Sequence, residues 1–120
     1  MNCVFCKINE NLISSKTIYE DDIVKVFLDI NPDSNGHCLI IPKKHYKDLF
    51  DIDEVTLNYI LKICKSISDR LMTILKSDGI TLVQNNGDVQ EVKHFHIHLK
   101  PYYVNPTEMD IDTIYDLIKM

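Results

Sequence analysis

The stretch Lys93–Pro101 reads Lys-His-Phe-His-Ile-His-Leu-Lys-Pro and holds three of the chain's five histidines at every second position. Successive side chains of a β-strand point to opposite faces, so a strand here places His94, His96 and His98 on one face. The apolar residues between them then lie on the other face, where they can be buried. A helix would scatter the same histidines around its axis. The pattern therefore predicts a strand with a hydrophobic back and a row of imidazoles in front.

The whole chain has the size and composition of one globular domain, which we place at residues 1–120. It is 45% hydrophobic and 26% charged, which is typical of a folded protein. A net charge of -5 argues against a nucleic-acid polymer as the partner, and no apolar run is long enough for a membrane span. We expect neither nucleic acid nor membrane as a partner.

The cysteines indicate a reducing compartment. The start of the sequence lacks the charged and then apolar pattern of a secretory signal, so we expect a cytoplasmic protein. Its four cysteines are then reduced thiols or metal ligands, not a disulfide framework. Cys38 and Cys64 lie in apolar patterns and are interpreted as buried thiols.

Several short segments have the composition of strands, and turn residues separate them. The segments Ile23–Leu28 and His37–Pro42 are joined by a turn-rich stretch, so we expect them to pair in antiparallel fashion. Further strands are predicted at Thr17–Glu20 and Ile80–Gln84, and short helices near the amino terminus and at Asp110–Lys119.

A long helix is predicted over Asp53–Ser77, where apolar residues recur at helical spacing. The sequence Asp51-x-x-Glu54 has the pattern of a capping box at its start. Gly79 suits the left-handed position beyond its end. Strands, one long helix and further strands together predict an α+β domain with an antiparallel sheet and helices against one face.

The pair Cys3-x-x-Cys6 has the spacing of half a zinc site. His45 and His94 could complete a Cys₂His₂ tetrahedron that fixes the amino terminus to the sheet. We favour this zinc site over the alternative of two structural cysteines without a metal.

The histidine row has two interpretations that spacing alone leaves open. In one, His96 is a nucleophile held in a fixed tautomer, and His98 donates to a leaving group or a phosphoryl oxygen. In the other, the three imidazoles together bind a metal ion.

Polar residues near the row are candidates for ligand binding. Asp29 either caps a turn or accepts hydrogen bonds from a pair of sugar hydroxyls. Asn85, Gln90 and the amides around Gly87 could hold an anion or belong to a solvated loop. His37 is interpreted as structural.

These motifs resemble the histidine triad (HIT) family, whose defining pattern is His-x-His-x-His followed by apolar residues. Further matches in family order are Cys3-x-x-Cys6, Tyr19–Asp22, Phe27–Pro32, Gly36-His37, Ile41–His45, Gln90 and Val92. The resemblance covers about nine tenths of the chain and implies a five-stranded antiparallel sheet.

The resemblance implies a purine nucleotide as ligand and cleavage or transfer at its α-phosphate, in phosphoramidates or (di)nucleoside polyphosphates. His96 matches the nucleophile that forms a nucleotidyl-histidine, and His98 the residue that contacts phosphate and leaving group. Asp29 matches the carboxylate that holds the ribose hydroxyls.

The resemblance also implies binding roles for further residues. It assigns Phe27, Leu28 and Ile30 to the base pocket, and Asn85 and Gln90 to the phosphates. The same likeness implies a homodimer and a structural zinc ion, whose ligands match Cys3, Cys6, His45 and His94.

The chain departs from the family pattern before the triad. Val89 stands where glycine is usual, and Glu91 stands where some relatives have a serine that faces phosphate. A carboxylate there repels phosphate, so we expect weaker phosphate binding than in relatives with a glycine pair. A rival interpretation is a zinc-stabilised nucleotide-binding or scaffold protein with little turnover.

Overall fold

A computed structural model of the chain describes residues 2–120. Its elements in chain order are helix α1 (Val4–Asn9), strands β1 (Thr17–Glu20), β2 (Val24–Leu28) and β3 (Cys38–Pro42), helix α2 (Glu54–Ile74), strand β4 (Gly79–Val83), a 3₁₀ turn (Gly87–Val89), strand β5 (Ile97–Tyr102) and helix α3 (Ile111–Ile118). The strands form one antiparallel sheet in the order β1-β2-β3-β5-β4. The predicted α+β fold with a five-stranded sheet is confirmed.

The sheet is covered on both faces because its central strands are apolar on both sides. Alternate residues of β2, β3 and β5 pack against α2 and α3 and form the main core, which includes Val26, Ile40 and Leu99. The intervening residues form a second apolar cluster in which Phe27, Leu39 and Ile41 meet α1. The expectation of helices against one face therefore holds for α2 and α3, whereas α1 lies on the opposite face.

Helix α2 begins at a different cap from the one predicted. Asp53 is the N-cap residue, and its side chain accepts a hydrogen bond from the backbone N–H of Thr56. Asp51 instead accepts from the backbone N–H of Lys47 and stabilises the preceding turn. The predicted capping box is wrong, because Asp53 stands one residue before the first helical turn and Asp51 lies too far upstream.

The end of α2 also differs from the prediction. The helix stops at Ile74, and Lys76 takes the left-handed conformation with φ 56°. Gly79 has no positive φ and is the first residue of β4. The strand therefore starts where the sequence suggested a helix cap. None of the helices in the described part of the chain has the length and apolar character needed to cross a bilayer.

The histidine stretch keeps its predicted alternation, although β5 starts only at Ile97. Phe95, Ile97 and Leu99 are buried in the main core. His94 and His96 precede the strand and face the side of α1, as shown by the ring of Phe5 that lies against both. The period of two thus extends beyond the hydrogen-bonded part of the strand.

Candidate active site and metal cluster

A cavity of about 400 Å³ lies on the α1 side of the sheet. Its walls include His96 and His98 from the histidine stretch, Asp29 from the end of β2, Asn85 from the loop after β4, and Phe5 from α1. This volume is within the usual range for small-molecule sites. Among the sites predicted from sequence, His96, His98, Asp29 and Asn85 are therefore brought together around one space.

The hydrogen bond of His96 defines which of its nitrogens can react. Its Nδ1 lies 2.8 Å from the carbonyl oxygen of His94, which can only accept, so Nδ1 carries the proton. The lone pair is therefore on Nε2. Burial lowers the pKa of His96, and its side chain is neutral near pH 7. A neutral imidazole with a fixed tautomer and a free Nε2 is suited to nucleophilic attack.

His98 has the opposite tautomer because of a residue that the sequence analysis treated as structural. The backbone N–H of Asp33 donates to Nδ1 of His37 over 3.0 Å, which leaves the His37 proton on Nε2. That Nε2 lies 2.9 Å from Nδ1 of His98 and donates to it. The proton of His98 is therefore on its Nε2. Burial lowers the pKa of His98 to about 4, so the ring is neutral.

The residue before His37 is a glycine in the left-handed region. Gly36 has φ +89°, which L side chains rarely adopt, and a Cβ there would also lie 2.6 Å from Cδ1 of Leu75, so glycine is strongly favoured. His37 itself is 3% exposed. The contact between His37 and His98 follows from the pairing of β3 with β5, in which Leu39 lies opposite His98. The sequence analysis missed this contact because it did not predict that these two strands pair.

Asp29 has the turn role considered for it and also reaches the cavity. Its Oδ1 accepts from the backbone N–H of Asn31 over 2.9 Å and stabilises the turn. Its Oδ2 lies 3.6 Å from Nε2 of His37, at the wall of the cavity. One carboxylate oxygen is thus used locally, and the other lies beside the histidine chain.

Other residues predicted to bind a nucleotide lie away from the cavity walls. Gln90 is 3% exposed and donates from Nε2 to the carbonyl oxygen of Lys47 over 2.6 Å. Leu28 lies in the main core, and Phe27 lies in the second apolar cluster behind the wall. Ile30 is 77% exposed. Apolar wall residues not predicted from sequence are Phe5, Leu39 and Val92.

The four predicted metal ligands form a compact cluster beside this cavity. Ligand atoms of Cys3, Cys6, His45 and His94 all lie within 4.8 Å of one another. The sulfur of Cys3 lies 3.3 Å from Nδ1 of His94, and that of Cys6 lies 3.2 Å from Nδ1 of His45. Ligands of a tetrahedral zinc ion are separated by roughly 3.3–3.8 Å, so these donors fit a metal of that geometry.

The tautomer of His94 also suits metal binding. Its Nε2 lies 2.9 Å from the carbonyl oxygen of Pro42 and donates to it, so the lone pair of Nδ1 faces the sulfurs. Without a bound cation, burial and the neighbouring Cys3 raise the pKa of the Cys6 thiol to about 11. A cation among the four ligands would favour the thiolate.

A single metal site across the whole histidine row does not fit the geometry. Within residues 2–120, the grouped ligand atoms divide the row: His94 belongs with the cysteines, and His98 belongs with Asp29 and His37. In the second group, His37 accepts at Nδ1 and donates at Nε2, so it has no lone pair free for a cation. This group is therefore better described as a hydrogen-bonded chain.

A larger cleft of about 800 Å³ lies between the turn at residues 32–35 and the segment 103–110. It is lined by neither histidine nor cysteine. The smaller cavity with its paired imidazoles is therefore the candidate active site.

The antiparallel sheet, the row of histidines divided between a cavity and a Cys/His cluster, and the position of α1 define a protein of the histidine triad class. The sequence matches the HIT domain over residues 10–104. The chain belongs to the HIT family.

Similar proteins have been named or solved in several organisms. The chain is 42% identical over 110 residues to an uncharacterized HIT-like protein of Methanocaldococcus jannaschii, covering 89% of this chain and 84% of that protein. It is 43% identical over 101 residues to the adenosine 5'-monophosphoramidase of Saccharomyces cerevisiae, covering 82% of this chain and 61% of the yeast protein. The crystal structure of a Zn-bound histidine triad family protein from Mycobacterium smegmatis superimposes with a TM-score of 0.91 at 31% identity, covering 99% and 91% of the two chains.

Proposed function

We propose that the protein is a nucleotide hydrolase or nucleotidyl transferase that cleaves at the α-phosphate of nucleoside phosphoramidates or (di)nucleoside polyphosphates. One observation carries the proposal: two neighbouring imidazoles on one cavity wall have opposite tautomers. His96 has a free lone pair at Nε2, and His98 has a proton at Nε2. Their ring centroids are 5.0 Å apart. A nucleophile beside a hydrogen-bond donor for the leaving group is suited to displacement at phosphorus.

In the proposed reaction, Nε2 of His96 attacks the α-phosphorus as the bond to the leaving group breaks. Nε2–H of His98 donates a hydrogen bond to the amine leaving group, which takes a proton from a water molecule as the bond breaks, and the nucleotide remains bonded to His96. The hydroxide formed from that water then attacks the same phosphorus and releases the nucleoside monophosphate and His96. Hydrogen-bond donors along the cavity, including the amide of Asn85, stabilise the charge on the phosphoryl oxygens.

The nucleoside would be oriented by the end of β2. Oδ2 of Asp29 would accept from the ribose hydroxyls, as the family resemblance implies. Ile30 follows it and is exposed, so it could cover a purine base that rests on the apolar wall of Phe5 and Leu39. Phe27 supports this wall from the second apolar cluster, whereas the Leu28 side chain lies in the main core on the other face of the sheet and is not kept as a base contact.

We propose that the Cys/His cluster binds a structural zinc ion through Cys3, Cys6, His45 and His94. The donor set and spacing support this, as does the zinc in the mycobacterial relative. When bound, the ion would link α1 to the sheet and keep both cysteines as thiolates. The proton and phosphoryl transfers above use residues of the cavity alone.

A phosphoramidate is the substrate we favour first, since the yeast relative is named an adenosine 5'-monophosphoramidase. The cavity adds a second reason. Glu91 lines it, and among residues 2–120 its carboxylate has neither a hydrogen bond nor an ion pair. This charge would repel the additional phosphates of a polyphosphate leaving group more strongly than a neutral amine.

The test is to measure intact-protein mass after rapid mixing with adenosine phosphoramidate and quenching without acid, for the wild type and His96→Ala. A transient adduct of one adenylyl group on the wild type alone supports the proposal. Steady-state turnover is measured on the same samples. If AMP binds tightly but neither adduct nor turnover is seen, the protein is the alternative, a zinc-stabilised nucleotide-binding or scaffold protein.

We also propose a homodimer in the cytoplasm. Strand β4 is an edge of the sheet, and its Leu82 is 50% exposed, so a second copy could continue the sheet there. Light scattering coupled to gel filtration would measure the mass, and Leu82→Lys should shift a dimer towards the monomer. Reduced Cys3 and Cys6 are consistent with a compartment that keeps thiols reduced.

A further inference from the structure

Helix α1 carries parts of both the metal cluster and the cavity, yet it has only six residues. Cys3 and Cys6 contribute to the cluster, and Phe5 lies against His96 with ring centroids 5.0 Å apart. A helix of this length is unstable in isolation, so its position depends on contacts with the sheet. Whatever anchors α1 therefore also positions one wall of the cavity.

The amino-terminal end of α1 is anchored by the cysteines. The sulfur of Cys3 accepts from the backbone N–H of Cys6 over 3.3 Å, and both sulfurs lie next to the histidines of the cluster. A metal ion bound there would hold this end of the helix to the sheet.

The other end is anchored by a lysine that neither the cluster nor the proposed reaction uses. Lys25 on β2 is only 1% exposed, although strands rarely bury a lysine completely. Its Nζ donates to the backbone carbonyl of Ile8 over 2.9 Å and to Oδ1 of Asn11 over 3.0 Å. Glu20 lies 4.0 Å from the same ammonium. A cation at carbonyls near the end of a helix is also favoured by the helix dipole.

The backbone after α1 is shaped to make this contact. Asn11 has φ 60°, a left-handed conformation that non-glycine residues seldom adopt and that asparagine tolerates. In this conformation its side chain reaches the ammonium. Ile8 itself is buried in the second apolar cluster, so the ammonium of Lys25 contacts α1 at the interface between the helix and the sheet.

We propose that Lys25 is a positioning residue that keeps α1 docked, and Phe5 against His96, independently of the metal. The helix then has an anchor at each end, besides the Asn9 side chain, which donates to the backbone carbonyls of Pro42 and Lys43. Either anchor keeps the undocked population small, and undocking increases strongly when both are removed. The part of this inference that concerns nucleotide affinity rests on the proposed function; the part that concerns helix docking does not.

The experiment compares metal-loaded and chelator-treated protein for the wild type and Lys25→Met, which keeps the length and apolar stem of the side chain. Asn11→Gly is a milder second variant, because it removes one acceptor and retains the positive φ. Lys43→Met is the matched control, since the Lys43 side chain pairs with Glu20 rather than with α1, and its backbone carbonyl, which accepts from Asn9 of α1, is kept by the substitution. The readouts are amide hydrogen exchange within α1 and the dissociation constant for AMP.

We expect α1 amides of the chelated wild type and of Lys43→Met to stay protected. Chelated Lys25→Met should exchange roughly ten- to a hundredfold faster in α1, as expected for the loss of charge-assisted hydrogen bonds, while strands β2, β3 and β5 change little. Asn11→Gly should give a smaller effect. Adding zinc should restore protection to both variants. AMP affinity should fall roughly tenfold in the same state in which α1 loses protection.

Equal exchange in α1 for chelated wild type and chelated Lys25→Met would overturn the inference. So would exchange that rises across the whole sheet in Lys25→Met even with zinc, since that indicates a general loss of folding. If α1 exchange behaves as expected but AMP binds none of the proteins, the docking inference stands and the proposed function fails.

Discussion

Replacing His37 by leucine should release His98, the proposed donor to the leaving group, from the tautomer and orientation that it has beside the proposed nucleophile His96. The substitution removes the donor that lies 2.9 Å from Nδ1 of His98 and the acceptor for the N–H of Asp33. His98 can then carry its proton on either nitrogen and can rotate. The proposed nucleophile, His96, keeps its own hydrogen bond, because its Nδ1 donates to the backbone carbonyl of His94.

The size of the effect follows from the strength of that hydrogen bond. A hydrogen bond between neutral groups is worth about 0.5–1.5 kcal/mol, so its loss lowers the equilibrium ratio of the two His98 tautomers by roughly two- to tenfold. Loss of ring orientation adds to this, and complete loss of a hydrogen-bond donor to the developing charge would cost about 10²–10³. We therefore expect His37→Leu to lower kcat for an alkylamine phosphoramidate by roughly ten- to a hundredfold.

The assay uses two adenylyl substrates that differ in their need for a proton. An alkylamine must be protonated to leave, whereas p-nitrophenolate leaves as the anion. His37→Leu should slow the first substrate and change the second by no more than about threefold. His37→Gln, which offers an amide N–H towards His98, should recover part of the rate. Equal slowing of both substrates by His37→Leu would refute the hydrogen-bond-donor reasoning and indicate a distorted cavity.

Other predictions concern pH, the metal, the cavity charge and a helix cap. Burial lowers the pKa of His98 from 6.5 to about 4, so kcat/KM should show no inflection at pH 6.5. Between pH 4 and 6.5 the unfolded chain binds more protons than the folded protein, so the urea midpoint of unfolding should fall as the pH drops through this range. A midpoint that does not change with pH would contradict this. Cys6→Ser should lower the zinc content, measured by mass spectrometry of the metal, and lower the Tm. AMP binding should persist, because Phe5 stays packed against His96. Glu91→Ser should raise kcat/KM for adenosine phosphoramidate, alone or with the glycine pair restored before Gln90. If kcat/KM does not rise, the Glu91 carboxylate does not repel the phosphate. Asp53→Ala should lower the free energy of unfolding by about 1 kcal/mol, whereas Asp51→Ala should not show this loss of the helix cap.

The sequence predicted most of the fold because the decisive patterns are local. The alternation of histidines with Phe95, Ile97 and Leu99 assigns faces by a period of two, and this held even where β5 had not yet begun. The apolar repeat of α2 likewise needs only its own neighbours. The helix ends were less predictable: Asp51 and Asp53 both have the chemistry of a cap, and only the path of the preceding turn selects Asp53.

What the sequence determined by itself is the set of reactive groups, namely a row of imidazoles on one side of a strand and a cysteine pair near the amino terminus. Only the tertiary structure decided how these groups are divided. His94 joins the cysteines, His96 bonds to a backbone carbonyl, and His98 takes its tautomer from His37, 61 positions earlier in the chain. The buried ammonium of Lys25 meets α1 in the same way, across 17 positions. Residue type determines which reactions a side chain can perform. Its tautomer and its hydrogen-bond partners depend on atoms that only strand pairing and packing bring within hydrogen-bond distance.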